Sequence, residues 1–164
     1  MTKKILSSII FIAIIFIDGC FEKEPIRQNG VFVIWKTPMM KYADQGFLYE
    51  NEESVKLEIY SSGQAALSLT IDDGEICSGL LCMNKREFNR RYLSPLYPDD
   101  TIENILKGEE IFSGEGKESY SEGFKQHIVS VGRYDIEYIC NKNSVLFNDK
   151  INDITIRIKR MEEI

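Results

Sequence analysis

Few of the 164 residues have a type and spacing that could do chemistry. The single histidine, His127, alternates with Lys125 along a strand-like run, so it reads as a surface residue rather than a base. No cluster of metal ligands surrounds it. Asp72-Asp73-Gly74-Glu75 offers oxygen donors but lacks the spacing of a calcium loop, and reads as a turn. The Ser-Gly pairs fall in turns, without a nucleophile-elbow pattern. Lys85, Arg86, Arg90 and Arg91 gather basic charge on one short segment, a solvated helix face. No catalytic residue, metal site or dissociable cofactor is expected. What remains is sulfur chemistry, at Cys20, Cys77, Cys82 and Cys140.

Cys20 closes an N-terminal segment with a distinct pattern. Met1–Lys4 is short and basic, and Ile5–Ile17 is apolar except for Ser7 and Ser8. As a helix that run would span about 20 Å, short of the roughly 30 Å hydrocarbon core. It reads as a signal-peptide core rather than a membrane span. Its end, Ile17-Asp18-Gly19-Cys20, resembles the lipobox of bacterial lipoproteins; Asp18 departs from the pattern, where a small uncharged residue is usual. The resemblance implies removal of residues 1–19 and covalent diacylglycerol and acyl groups on Cys20. Several acyl chains on one residue anchor stably where a single chain does not. In that class an aspartate after the cysteine marks inner-membrane retention. Phe21 stands there, so the outer membrane, facing the periplasm, is the expected location.

Export places the other thiols where they can pair. Cys77-Ser-Gly-Leu-Leu-Cys82 closes a small glycine-containing loop, and Cys77–Cys82 is the favoured disulfide, a local staple. The sequence also allows Cys140 to pair with either; Cys140 otherwise reads as a buried thiol at the end of a strand.

The chain is 43% hydrophobic and 28% charged, enough for one domain with a real core. Its formal charge is −6, and loss of Lys3, Lys4 and Asp18 with residues 1–19 leaves about −7. That balance argues against nucleic acid as a partner. Residues 20–29 form a polar tether and 30–164 the folded domain. Val31–Trp35 is apolar on both faces and is expected to be covered on both. Val55, Leu57 and Ile59 alternate with polar residues, as do Leu67, Leu69 and Ile71, then Ile136 and Tyr138, then Ile154, Ile156 and Ile158. Between these halves, Asn84–Tyr92 predicts a short helix. A second follows, with Asp100 as its cap, Glu103 completing a capping box and Gly108 as its stop. Glu109–Gly123 reads as a mobile loop or loose hairpin. About four strands, two helices and about four strands, joined by tight turns, predict a mainly β (α+β) fold. It would be a strongly curved antiparallel sheet, or incomplete β-barrel, covered by the two mid-chain helices.

This order, with the runs "GFLYENEESVKLEIYSSGQAALSLTIDDGEIC" and "LYPDDTIENILKG", resembles the LolA/LolB family of periplasmic lipoprotein carriers and receptors, LolB above all. The resemblance implies a hollow between sheet and helices that receives acyl chains of lipoproteins or lipids, delivered by a periplasmic carrier protein. Its expected lining is Phe32, Ile34, Leu57, Ile59, Leu67 and Leu69, with Phe88 and Ile105 on the lid. LolB also touches the membrane through a loop with an exposed leucine. The corresponding turn here, Ser61-Ser62-Gly63, is polar, and Met39-Met40 is the expected substitute. The other reading is a structural or docking lipoprotein of the envelope with a filled core. Whether the interior is hollow separates the two.

Overall fold

A computed structural model describes residues 26–161. The expected signal peptide, Cys20 and most of the tether lie outside them. Eleven strands form one antiparallel sheet, in the order β6-β5-β4-β3-β2-β1-β11-β10-β9-β8-β7. They are β1 Arg27–Lys36, β2 Lys41–Glu50, β3 Val55–Ser61, β4 Gln64–Asp72, β5 Glu75–Ser78, β6 Leu81–Asn84, β7 Lys117–Tyr120, β8 Gly123–Ser130, β9 Tyr134–Asn141, β10 Ser144–Asp149 and β11 Ile154–Arg160. Every sequential pair is a hairpin except β6 to β7, the two edges. The chain passes between those edges through residues 85–116, here called the strap. It contains helices α1 (Lys85–Tyr92) and α2 (Thr101–Lys107) and a 3-10 turn at Phe112–Gly114. The sheet is curved and does not close into a barrel.

The sequence explains most of this locally. Asn84 caps α1, its side-chain oxygen accepting from the Glu87 N–H at 2.8 Å. Gly108, with φ of 72°, ends α2 in a Schellman motif: the Glu109 N–H donates to the Asn104 carbonyl at 2.8 Å. The expected capping box on α2 does not form. The Asp100 side chain makes no cap bond, and Glu103 turns instead to the ammonium groups of Lys85 and Lys107. Two half-buried cations hold that carboxylate more strongly than one backbone N–H would. Gly46 is required sterically, since a Cβ there would stand 2.0 Å from the Glu58 carbonyl oxygen on the neighbouring strand.

One face of the sheet and the strap enclose the core. Val31, Val33 and Trp35 of β1, Leu57 and Ile59 of β3 and Ile156 of β11 are fully buried against Ile102, Ile105 and Leu106 of α2. Each such side chain contributes on the order of 1.5–3 kcal/mol by burial. Neither helix buries enough surface to stand alone; each folds because it lies on this sheet. The hairpin β5–β6 and the edge strand β7 are additions to the expected strand count, because both fall in short or glycine-rich runs.

The up-and-down path sorts the turns onto two rims. At one, the far rim, lie the turns β1–β2, β3–β4, β5–β6, β8–β9 and β10–β11. At the other, the chain-end rim, β1 begins and β11 ends, beside the turns β2–β3, β4–β5, β7–β8 and β9–β10.

Candidate functional site

The interior is the first candidate. Leu57, Ile59, Leu67, Leu69, Phe88 and Ile105 do converge between sheet and strap, all buried and all in one cluster. Phe32 and Ile34 do not. The pleat of β1 points Val31, Val33 and Trp35 inward, which turns Phe32 and Ile34 to the outer face; Phe32 is 39% exposed. The strap covers only one side of the sheet. On the other, Phe32 and Ile34 have as cross-strand neighbours Lys159 and Arg157, whose long stems can lie over apolar surface. The expectation that β1 is covered on both faces is thereby corrected.

Polar groups fix the strap to one half of the sheet. Gln126 of β8 is buried, and its amide meets the strap backbone three times. It donates to the carbonyls of Ile111 at 2.9 Å and Glu115 at 2.8 Å, and accepts from the Ile111 N–H at 2.9 Å. Tyr138 of β9 donates to the Glu109 carbonyl at 2.8 Å, and the Cys140 thiol lies 3.1 Å from the Gly108 carbonyl. Burial pushes both of these groups up from their ordinary pKa values, so both stay protonated as donors. The Tyr97 hydroxyl donates to Asp149 of β10, which also accepts from the backbone N–H groups of Ile151, Asn152 and Asp135. Burial opposes the Asp149 charge, but bonds from Asn152, Tyr97 and these backbone donors outweigh it and hold its pKa below the ordinary carboxylate range. Among the described residues, the strap's side-chain hydrogen bonds to the sheet go to β7 through β10, apart from the Asn84 cap at the end of β6 where the strap begins. Its contact with β3 is apolar.

Gln126, Tyr97 and Asp149 are not among the residues that the sequence singles out. Gln126 could have been found by parity, since it shares the inward face of β8 with Ile128. Asp149 could not, because a turn aspartate after an apolar strand is ordinary until Tyr97 is brought to it.

The surface is the second candidate. Cys77 and Cys82 form the disulfide, across the β5–β6 pair, and Cys140 is a free buried thiol. The Glu75 carboxylate lies close to both sulfurs, but disulfide sulfurs are not thiolate ligands. At the far rim the disulfide presents Leu80 and Leu81, both exposed, Leu80 fully. Of the two methionines, Met39 is exposed in the β1–β2 turn and Met40 packs against the core. His127 stands at the surface, 3.0 Å from Asp135. A cleft of about 580 Å³ opens at the chain-end rim, lined by Ile26, Arg27, Glu50, Asn51, Glu52, Lys107 and Glu109. An open one of about 590 Å³ lies over Tyr97, Phe112 and Tyr134. Neither reaches the aliphatic interior. No protein-family model matches the chain, and no curated protein matches it.

Proposed function

We propose that this protein is a lipid-anchored docking protein of the bacterial cell envelope, without catalytic chemistry, that works through its surface around a filled core. The observation that supports it is the packing under the strap. Six of the side chains expected to line a cavity, Leu57, Ile59, Leu67, Leu69, Phe88 and Ile105, are instead nearly without exposed surface and belong to one continuous cluster with the strap. Cys20 supplies the anchor, through covalent diacylglycerol and acyl groups, at the periplasmic face of the outer membrane.

A second reading, the LolB-like acyl carrier or receptor fed by a periplasmic carrier protein, is favoured by one feature. The strap meets β3, whose Leu57 and Ile59 share one buried cluster with Leu67 and Leu69 of β4, through apolar contact alone. A strap that swung from its bonds to β8, β9 and β10 would open that face to an acyl chain, whose burial is worth about 0.8 kcal/mol per methylene.

Mass spectrometry tests both parts. The wild-type chain made in a bacterium is expected to gain the mass of a diacylglycerol and an acyl group, and the Cys20→Ser chain is not. Under native conditions the Cys20→Ser chain from the periplasm is expected to fly as a clean protein, before and after incubation with a synthetic lipopeptide. A co-purified or captured acylated molecule overturns the filled-core reading in favour of the carrier.

A further inference from the structure

The two rims of the sheet differ in kind. Four of the five hairpin turns at the far rim carry an exposed apolar side chain: Met39, Leu80 with Leu81, Val131 and Ile151. Leu80 and Val131 are essentially bare, at 102% and 96% exposure. A tight turn has no folding need for such residues, which here contact little of their own protein. At the chain-end rim the turns hold Asn51–Ser54, Asp72–Gly74, Tyr120–Glu122 and Asn141–Asn143, and only Tyr120 is large and apolar. It is tied down, its hydroxyl donating to the Cys140 carbonyl at 3.2 Å. Ile26 and Met161, also exposed, are the first and last described residues there rather than turn residues.

Charge divides the same way. The far-rim turns and their flanking residues bring Lys36, Lys41, Arg133 and Lys150 to the surface, against the exposed carboxylate of Asp153. Asp149 is in the same turn as Asp153 but is buried, and Asp135, just inside the rim, is shared by His127 and Lys150. Lys36 pairs with Asp153 at 2.7 Å. Counted the same way, the chain-end rim carries Glu50, Glu52, Glu53, Asp72, Asp73, Glu75 and Glu122, against Arg27, Lys142 and Arg160. An acidic chain has thus placed a basic excess on the rim that also carries its exposed apolar tips.

We infer that the far rim is a docking surface for an anionic lipid bilayer. Separate apolar tips, two strand spacings or roughly 10 Å apart from Met39 to Ile151 to Val131 and four spacings or roughly 20 Å from Met39 to the Leu80 turn across the polar β3–β4 turn, suit a layer that yields around each one. They suit a protein partner less, because a protein interface needs a contiguous buried patch of about 800 Å² a side. Basic residues between shallow apolar tips are the arrangement that binds anionic headgroups while inserting at their level. The disulfide Cys77–Cys82 constrains the hairpin that holds Leu80 and Leu81, so little order is lost on insertion.

This names the partner of the docking protein proposed above and rests on that reading. Arg27 lies at the opposite rim, and β1, with its 10 residues, lifts the far rim about 30 Å away from it. The seven residues from Cys20 to Arg27 reach at most about 24 Å. With its strands upright on the bilayer that would hold the anchor, the far rim therefore faces away from that bilayer, toward a second lipid surface.

The test uses the chain carrying Cys20→Ser, so that no anchor contributes. It is floated with vesicles of phosphatidylcholine alone, or of phosphatidylcholine with phosphatidylglycerol. Binding is expected to the mixed vesicles only and to fall as salt shortens the screening length from about 10 Å at 0.1 M to about 3 Å at 1 M. Replacing both Leu80→Ser and Leu81→Ser is expected to weaken it about tenfold or more. Lys41→Glu with Lys150→Glu is expected to weaken it by about fivefold for each charge removed. Glu53→Gln at the opposite rim is expected to leave it unchanged. All these sites are exposed, and an unchanged circular dichroism spectrum shows each variant folded. No binding to the mixed vesicles, or binding that the far-rim variants leave intact, overturns the inference. Failure here with a clean native mass leaves the filled-core reading standing without its lipid partner. Capture of a lipopeptide is the separate failure of that reading.

Discussion

Asp149 shows how much one side chain can hold. It is buried, yet it keeps its charge because donors from a turn, a neighbouring strand and the strap all point at it. Its carboxyl is held below the ordinary range, so its contribution is present above the unfolded aspartate value of about 3.9 and is lost as pH falls through the lower folded value. Stability of the wild type should therefore drop on acidification below about pH 4. Asp149→Asn should be less stable at neutral pH by about 1–3 kcal/mol, because an amide has one acceptor oxygen and cannot serve both the Tyr97 and Asn152 side chains on one side and the backbone N–H groups of Asp135, Ile151 and Asn152 on the other. It should also lose stability less steeply in acid. Urea unfolding at neutral and acid pH reads both, and identical pH dependence in the two proteins would contradict this account. Other single residues matter through position alone. Leu80 and Leu81 add little to folding, and their meaning lies in where the disulfide puts them.

At the scale of elements, the strap is the part that can differ in stability from the rest. Its hold on the β8 side depends on Gln126. Gln126→Leu keeps the volume but leaves the Ile111 N–H and the carbonyls of Ile111 and Glu115 without partners. A loss of about 2–4 kcal/mol in urea unfolding is expected; a change under about 0.5 kcal/mol would mean that the strap backbone finds water instead. The elements themselves were largely legible. Period-two alternation marks β3, β4, β9 and β11, because one face of each is wet. Asn84, Pro95 and Gly108 delimit the helices. Less legible was β1, where both faces are apolar and nothing in Val31–Trp35 says which side the strap takes. The edge strands β6 and β7 were missed or blurred because four residues are too few for a period to be seen. The anchors of the strap, between residues 11 to 52 positions apart in the chain, exist only once the sheet is assembled.

The whole molecule is polar along its strands. The described residues begin and end at one rim, where the turns are acidic, and present apolar tips with basic neighbours at the other. Between the rims the sheet is a rigid spacer about one strand long. A carrier would need the strap to open, whereas a docking protein needs it shut so that the rims keep their spacing. Hydrogen exchange over residues 101–111 of the Cys20→Ser chain, with and without a synthetic lipopeptide, separates these most directly. A filled-core docking protein predicts strap amides protected to the level of global unfolding, as in β1 and β11, and unchanged by lipopeptide. Strap amides that exchange far faster than those of β1, or whose exchange shifts when lipopeptide is added, would contradict the filled core and make this protein a carrier.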